Sequence, residues 1–266
     1  MIKLAVAGSP IGHSLSPLLH STAYEILGVK AEFGSNDVKE QDFGNYYFEC
    51  KNAGFRGLAL TMPLKEISIG FVDRVDPIAK QISSVNTIIF ESTGSIGIST
   101  DLLAFKNLLK PYFGKKIAIL GAGGTARAIA ASLDGIADSI TVLGRTSTRE
   151  ESFERIVSHS KFSYVIWSNA LSLEPFSLVV NTTPAGAADL LAEGIEGDIS
   201  CLLFDVIYKP WPTVLAKKWN NLGAPVISGV ELLLYQGIEQ LRIVTDKNFD
   251  TEKLASNLRE KLATAL

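Results

Sequence analysis

The chain has 266 residues, 47% hydrophobic and 20% charged, with a formal net charge of −3. That length and apolar fraction suffice for two hydrophobic cores. A nearly balanced charge with no basic stripe argues against nucleic acid or a membrane surface as the partner and for a small molecule. Cys50 and Cys201 lie far apart and form no C-x-x-C pair, so they read as reduced structural thiols of a cytoplasmic protein. The apolar run at Met1 to Gly8 is short for a signal peptide, and no run approaches the ~18 residues of a membrane helix. His13, His20 and His159 show no metal-ligand spacing, and no metal site is expected.

In chain order, Leu4 to Ala7 reads as a buried strand, followed by a loop from Gly8 to Leu15. Ser16 reads as an N-cap, with Pro17 at the first helical position and Gly28 ending the helix after Leu27. Ala31 to Asn36 reads as a strand, Gln41 to Asn52 as a helix and Gly57 to Thr61 as a strand, after which Met62-Pro63-Leu64-Lys65 turns into another helix. Asn86 to Phe90 and Ser95 to Ile98 flank a Ser92-Thr93-Gly94 turn as a hairpin. A linking helix spans about Asp101 to Leu109, closed by Pro111.

From Lys116 strands and helices alternate again. Strands at 116–120, 139–143, 163–167, 178–181, 201–206 and 225–227 fit a parallel sheet. Two helices close the chain, about Gly229 to Thr245 and Thr251 to Ala265, the second with Asp250 as N-cap. Its Leu254, Leu258 and Leu262 make an apolar stripe that must cover something. The expected architecture is α/β in two domains. An open α/β substrate domain occupies 1–100 and is completed by the last helix, about 246–266. A Rossmann-type dinucleotide-binding domain occupies 101–245.

The strongest motif is Gly121-Ala122-Gly123-Gly124-Thr125-Ala126, placed between the strand Lys116 to Leu120 and a helix-forming run. Such a turn lets the backbone approach a pyrophosphate seated on the helix N-terminus. NAD would call for an acidic residue at the end of the next strand, but Gly144-Arg145-Thr146 stands there. A cation at that place suits a 2′-phosphate and so favours NADP. Asp138 precedes that strand and belongs at the opposite edge of the sheet. Arg145 and Arg149 could reach one phosphate together if the intervening loop turns helically.

Ser14 and Ser16 follow the first strand, and Thr61 and Lys65 follow the third, at carboxyl ends where open sheets bind ligands. Asn86 and Asp101 border the hairpin. Each residue has an ordinary reading: Ser16 as a cap, Lys65 as a surface lysine, Asn86 as a strand start, Asp101 as an acid at a helix N-terminus. Together they suit a hydroxylated, anionic small molecule.

The ordered set of motifs resembles the shikimate dehydrogenase family. It comprises Gly8 to His20, Gly57 to Lys65, Val85-Asn86-Thr87, Ser99-Thr100-Asp101, the glycine turn, Gly144-Arg145-Thr146, Asn181-Thr182-Thr183-Pro184, Asp205-Val206-Ile207-Tyr208 and Gly229 to Gln236. The resemblance spans essentially the whole chain. It implies reversible, NADP-linked interconversion of 3-dehydroshikimate and shikimate, a step of chorismate and aromatic amino-acid biosynthesis. By motif position, Lys65 and Asp101 are the acid/base pair. Ser14, Ser16, Thr61, Asn86, Tyr208 and Gln236, with the pair, match substrate-binding positions. The glycine turn (Gly121 to Ala126), Arg145, Thr146, Arg149 and Thr182 match cofactor contacts, with Val206 and Gly229 near the nicotinamide. A monomer or a homodimer is expected.

Several positions depart from the family pattern. Ala59 replaces an asparagine, Leu64 a residue that is often aromatic or histidine, Ser99 and Leu102 an Asn and a Gly, Glu231 and Leu232 a Gly and a Met. The loss of amides at 59 and 99 leaves two alternatives open: a quinate/shikimate dehydrogenase of broader specificity, and a non-catalytic relative that senses NADP(H) or a metabolite.

Overall fold

A computed structural model describes residues 1–112, 114–167, 175–195 and 199–266. The chain divides into two compact units: one of residues 1–104 and 233–266, the other of residues 105–232.

The first unit opens with β1 (Ile2–Gly8), α1 (Ser16–Leu27) and β2 (Ala31–Asp37). Next come α2 (Phe43–Asn52), β3 (Gly57–Leu60), α3 (Leu64–Ile67), β4 (Arg74–Val75) and α4 (Pro77–Gln81). The hairpin β5 (Thr87–Glu91) and β6 (Gly94–Ile98) then leads into α5 (Thr100–Leu108), whose first turn belongs here. The sheet order is β2-β1-β3-β5-β6-β4. Its first three strands are parallel, and β5 runs antiparallel to both β3 and β6. The short β4, which the sequence reading does not include, pairs parallel with β6 through Arg74 and Val75. Two residues are too few for a period-2 pattern to be recognised. One face of the sheet buries a core of Ala5, Phe43, Tyr47, Leu58, Leu60, Leu64, Val85 and Ile88.

The second unit is built from β7 (Lys116–Leu120), α6 (Gly124–Leu133), β8 (Ser139–Gly144), α7 (Glu150–Glu154) and β9 (Lys161–Ile166). It continues with β10 (Leu178–Asn181), α8 (Asp189–Gly194), β11 (Leu202–Asp205), α9 (Val214–Asn221) and β12 (Val226–Ser228). Every pairing in the sheet is parallel, in the order β12-β11-β10-β7-β8-β9. The order reverses at β7, so the carboxyl ends of β7 and β10 flank a topological switch point. Buried on both faces, β10 and β7 carry nearly continuous apolar runs, as parallel strands must.

The long helix α10 (Val230–Thr245) crosses from the second unit into the first at Leu233, and α11 (Thr251–Ala263) closes the chain. Asp250 caps α11, accepting the Lys253 N–H at 3.0 Å, and Leu254, Leu258 and Leu262 are buried. The helix packs against α1. Two boundaries of the sequence reading move accordingly. The return to the first unit begins at 233 rather than 246, because the body of α10 makes its contacts there: Gly237 lies against Leu19, and Gln240 bonds to His20 and Thr87. Asp101 belongs to the first unit, because its carboxylate bonds to Asn86 and Lys65.

A third correction concerns Ser16. The residue preceding α1 is Leu15, and Ser16 is the first helical residue with no side-chain cap. The hydroxyl that serves this terminus is that of Ser14, which accepts the Ser16 N–H at 3.3 Å. A serine two positions earlier reaches that N–H as a turn, an alternative to the N-cap geometry.

Candidate active site

The first unit brings together polar residues from four separate stretches of chain. Lys65 lies on α3, just after the carboxyl end of β3, and Asp101 lies in the first turn of α5. The Lys65 ammonium donates to Asp101 Oδ2 at 2.6 Å, with side chains 17% and 6% exposed. This desolvated ion pair gains its Coulomb term in a medium that screens weakly, and loss of either partner strands a charge. Asp101 Oδ1 is held separately, accepting from Asn86 Nδ2 at 2.8 Å. Asn86 is buried, and its side-chain oxygen accepts the Thr100 N–H at 2.7 Å. Asn86 Nδ2 also lies 3.5 Å from Gln236 Oε1 on α10, and Gln236 Nε2 donates to Leu233 O at 3.0 Å.

The two loops richest in motif residues meet at the ends of adjacent strands. The Thr61 N–H donates to Ala7 O at 2.9 Å and the Ser9 N–H to Met62 O at 3.0 Å. A Cβ on Gly8 would collide with the Thr61 side chain, so this junction closes only because residue 8 has none. Ser14 is half-buried and Ser16 is 7% exposed at the start of α1. Of the expected substrate residues, Lys65, Asp101, Asn86 and Gln236 thus form one bonded cluster. Ser14, Ser16 and Thr61 line the loops beside β1 and β3, whereas Tyr208 belongs to the second unit, half-buried in the loop after β11.

Ala59, on β3, is buried with Val6 and Ile11, and Phe33 packs against this small apolar cluster. Ser99 Oγ lies 3.4 Å from the Leu102 N–H and accepts from it, so it serves the start of α5.

In the second unit, Gly121 adopts φ +102°, a conformation open to glycine and costly for other residues. A Cβ there would stand 2.6 Å from Thr182 Oγ1, which itself donates to Leu120 O at 2.7 Å. The turn after β7 and the loop after β10 therefore interlock. Gly123 precedes α6 with no side-chain cap, and no described atom lies within 4 Å of where its Cβ would point. The first-turn N–H groups of a ten-residue helix beside open backbone suit a pyrophosphate. Arg145, Thr146 and Arg149 follow β8 as exposed residues; Ser147–Arg149 form a 3₁₀ turn, but Thr146 before it is extended, so the stretch from Arg145 to Arg149 is helical only in its second half. Thr146 is held by Tyr164, whose hydroxyl donates to Thr146 O at 2.9 Å. Asp138 precedes β8, at the opposite end of the strand from Arg145. The residues present thus fit a phosphorylated dinucleotide.

Behind this set is a network absent from the sequence reading of the site. Asp205, wholly buried at the end of β11, accepts from Asn181 Nδ2 at 3.0 Å, the Ile207 N–H at 3.1 Å and Thr213 Oγ1 at 2.7 Å. Burial pushes its carboxyl pKa up, and those three donors oppose that shift. Asn181 Oδ1 in turn accepts from the Thr183 N–H and hydroxyl, and the Val206 N–H donates to Asn181 O. Thr182 and Val206 therefore sit on loops pinned from beneath. The close approach of Gly229 to the Val206 carbonyl leaves no room for a Cβ. Thr87, Thr100, His20 and Gln240 are missed likewise in the first unit. Signals were available: Thr87, Thr100 and His20 stand within the motif stretches, and Gln240 lies four residues after Gln236 on the same helix.

Residues 6–88 match the family model described as the shikimate dehydrogenase substrate binding domain. The NADP(+)-linked shikimate dehydrogenase of Methanosarcina barkeri is 34% identical over 97% of both chains, and that of Methanococcoides burtonii is 34% identical over the same shares. Among solved structures, the shikimate 5-dehydrogenase of Thermus thermophilus in complex with NADP(H) and shikimate is 29% identical. The match covers 98% of this chain and 100% of that one, with a TM-score of 0.82.

Proposed function

We propose a role for each residue of this site from one premise: the chain belongs to the shikimate dehydrogenase family. It is an NADP-dependent oxidoreductase acting on a CH–OH group, a shikimate dehydrogenase that interconverts shikimate and 3-dehydroshikimate in aromatic amino-acid biosynthesis.

The 2.6 Å pair of Lys65 with Asp101, braced by Asn86, carries the assignment of roles. Bound NADP(H) supplies or accepts the hydride. As the ring carbonyl of 3-dehydroshikimate is reduced, negative charge grows on its oxygen. The Lys65 ammonium stabilises that charge and delivers a proton to the oxygen. In the reverse direction the neutral amine takes the hydroxyl proton. Asp101 holds the Lys65 nitrogen and accepts from a substrate hydroxyl. Ser14 and Ser16 donate to the substrate carboxylate, and Thr61, Asn86, Gln236 and Tyr208 bind its hydroxyls. In the second unit, Gly121 to Ala126 receive the pyrophosphate on backbone N–H groups. Arg145, Thr146 and Arg149 hold the 2′-phosphate, Thr182 contacts the cofactor, and Val206 and Gly229 flank the nicotinamide. Residues 1–104 with 233–266 are thus the substrate unit and 105–232 the NADP unit.

A broader substrate range, extending to quinate, is the second reading. It is favoured by Ala59, which presents a methyl group among Val6, Ile11 and Phe33 and offers no amide. Cys50 and Cys201 are both free and buried, in keeping with a reducing cytoplasm. No helix among the described residues is long and apolar enough to cross a membrane. We read the protein as a monomer or homodimer whose partners are small molecules rather than nucleic acid.

The test is direct. Shikimate and NADP⁺ mixed with the protein should raise absorbance in the reduced-nicotinamide band, and quinate should give a lower kcat/KM. Absence of turnover across the accessible pH range would overturn the assignment, and a quinate preference would install the second reading.

A further inference from the structure

A hydrogen-bond chain runs from the interior of the first unit to the Lys65–Asp101 pair. It starts at His20 on α1, a fully buried imidazole stacked on Phe33 with centroids 3.9 Å apart and planes 7° from parallel. Its Nε2 lies 3.1 Å from Gln240 Oε1, and its Nδ1 has no hydrogen-bond partner among the described residues. Burial drives the His20 pKa down to about 3, opposed in part by the Gln240 bond, so the ring is neutral at neutral pH. A neutral imidazole has one N–H, and an amide oxygen only accepts. The proton therefore sits on Nε2.

That proton orients the rest. With its oxygen toward His20, the Gln240 amide aims its nitrogen at Thr87 Oγ1, 2.8 Å away. The Thr87 hydroxyl accepts there and turns its own proton toward Asn86 Oδ1 or Thr100 Oγ1, each 3.2 Å away, and the Thr100 hydroxyl in turn reaches Asn86 Oδ1 at 3.2 Å. Asn86 Oδ1 also takes the Thr100 N–H, which leaves Asn86 Nδ2 facing Asp101 Oδ1 at 2.8 Å. From His20 to the carboxylate, each donor points the same way. A reversed Gln240 amide would need the His20 proton on Nδ1, buried without an acceptor among the described residues, which is costly.

We propose that His20 and Gln240 are positioning residues that lock the direction of the hydrogen bonds presenting Asn86 and Asp101 to Lys65. The proposal rests on the reading of Lys65 and Asp101 as the acid/base pair. Neither residue touches substrate in this scheme. They act by forbidding the reversed orientation of Gln240, which keeps the Thr87 hydroxyl proton turned toward the Asn86–Thr100 pair, while the Thr100 N–H and the Asp101 carboxylate fix the Asn86 amide itself.

Two measurements on the full-length protein decide it. Long-range ¹H–¹⁵N spectra of protein labelled at its three histidines report each tautomer, and loss of one signal in His20→Gln assigns it. A neutral Nε2–H ring at pH 7 is expected. An Nδ1–H ring or an imidazolium overturns the lock, whatever the activity. Turnover of shikimate with NADP⁺ is the second. Gln240→Leu should lower kcat by about three- to tenfold, the worth of one ordinary hydrogen bond, with KM for NADP⁺ within about twofold of wild type. His20→Phe, which keeps a stacked ring but no N–H, should do the same, and His20→Gln, which restores a donor, should recover most of the loss. Wild-type kcat in a folded Gln240→Leu protein overturns the positioning role. If the leucine variant does not fold, the contrast between His20→Phe and His20→Gln decides in its place, and if none of them folds, the wild-type tautomer does. A wild-type protein inert toward shikimate would refute the acid/base reading instead, and is seen before any variant is made.

Discussion

Lys65 and Asp101, 36 residues apart in the chain, meet at 2.6 Å with Asp101 almost fully buried. The lysine leaves the end of a strand and the aspartate opens a helix, so the pair exists only once the hairpin between them has folded. General acid/base catalysis contributes about 10²- to 10⁴-fold. Lys65→Ala should therefore lower kcat by about that factor while NADP⁺ titrates the protein as before, since the proposed cofactor residues lie elsewhere in the chain. Asp101→Asn should also lower kcat by at least about tenfold, with a smaller change in the affinity for NADP⁺. Retention of more than about a tenth of wild-type kcat by Lys65→Ala would remove it from the chemistry.

Arg145 sets the expectation for cofactor choice. It stands exposed where β8 ends, with no acidic residue in Gly144-Arg145-Thr146. A charge-assisted hydrogen bond is worth about 1.5–3 kcal/mol, or roughly ten- to hundredfold in binding. Arg145→Ala should raise KM for NADP⁺ within that range and leave KM for NAD⁺ nearly unchanged. Equal effects on both cofactors would show that the guanidinium does not read the 2′-phosphate.

The turn at Gly121 admits a sharper structural test. Gly121→Ala would place a methyl at φ +102° and 2.6 Å from Thr182 Oγ1, so the loop after β10 must shift. Backbone strain of this kind costs about 1–3 kcal/mol, and a Tm lower by about 2–4 °C per kcal/mol should follow. KM for NADP⁺ should rise at the same time. A variant with both unchanged would show that neither the φ nor the Thr182 contact matters.

His20 gives the protein a defined response to acid. Its folded pKa is about 3 against 6.5 for an unperturbed imidazole. Between those values the unfolded chain holds a proton on this ring and the folded chain does not. Stability from the neutral buried ring is complete above about pH 6.5 and falls as pH drops, by at most about 1.4 kcal/mol per unit, flattening near pH 3. Urea unfolding between about pH 7 and pH 4 should show that slope reduced in His20→Gln. Equal slopes in the two proteins would place the acid sensitivity in other groups.

Much of this site was legible in the residues alone, and for local reasons. The turn Gly121 to Ala126 between a strand and a helix, the cation ending the next strand and the Asp250 cap all act within a few residues of themselves. A strand buried on both faces or a helix with one apolar stripe is written in residue periodicity, so the parallel sheet and the α11 face could be read directly. The candidate acid and base, Lys65 and Asp101, were named by the resemblance of their motifs to the family, not by any local pattern of their own.

What the linear chain could not state is who bonds to whom at long range. Gln240 reaches Thr87 across 153 residues and Asn86 reaches Gln236 across 150, and neither contact follows from any local pattern. The same is true of Asp205 beneath Asn181, and of the crossing between units inside α10 rather than after it. Ser14 rather than Ser16 served the first helix, because the helix begins one residue earlier than a Ser16 cap requires and only the folded loop sets that start. Periodicity and caps depend on neighbours along the backbone, so sequence alone determined them. Hydrogen-bond direction depends on register, side-chain rotamer and burial set by distant elements, so tertiary structure alone decided how Lys65 and Asp101, the proposed acid and base, are held.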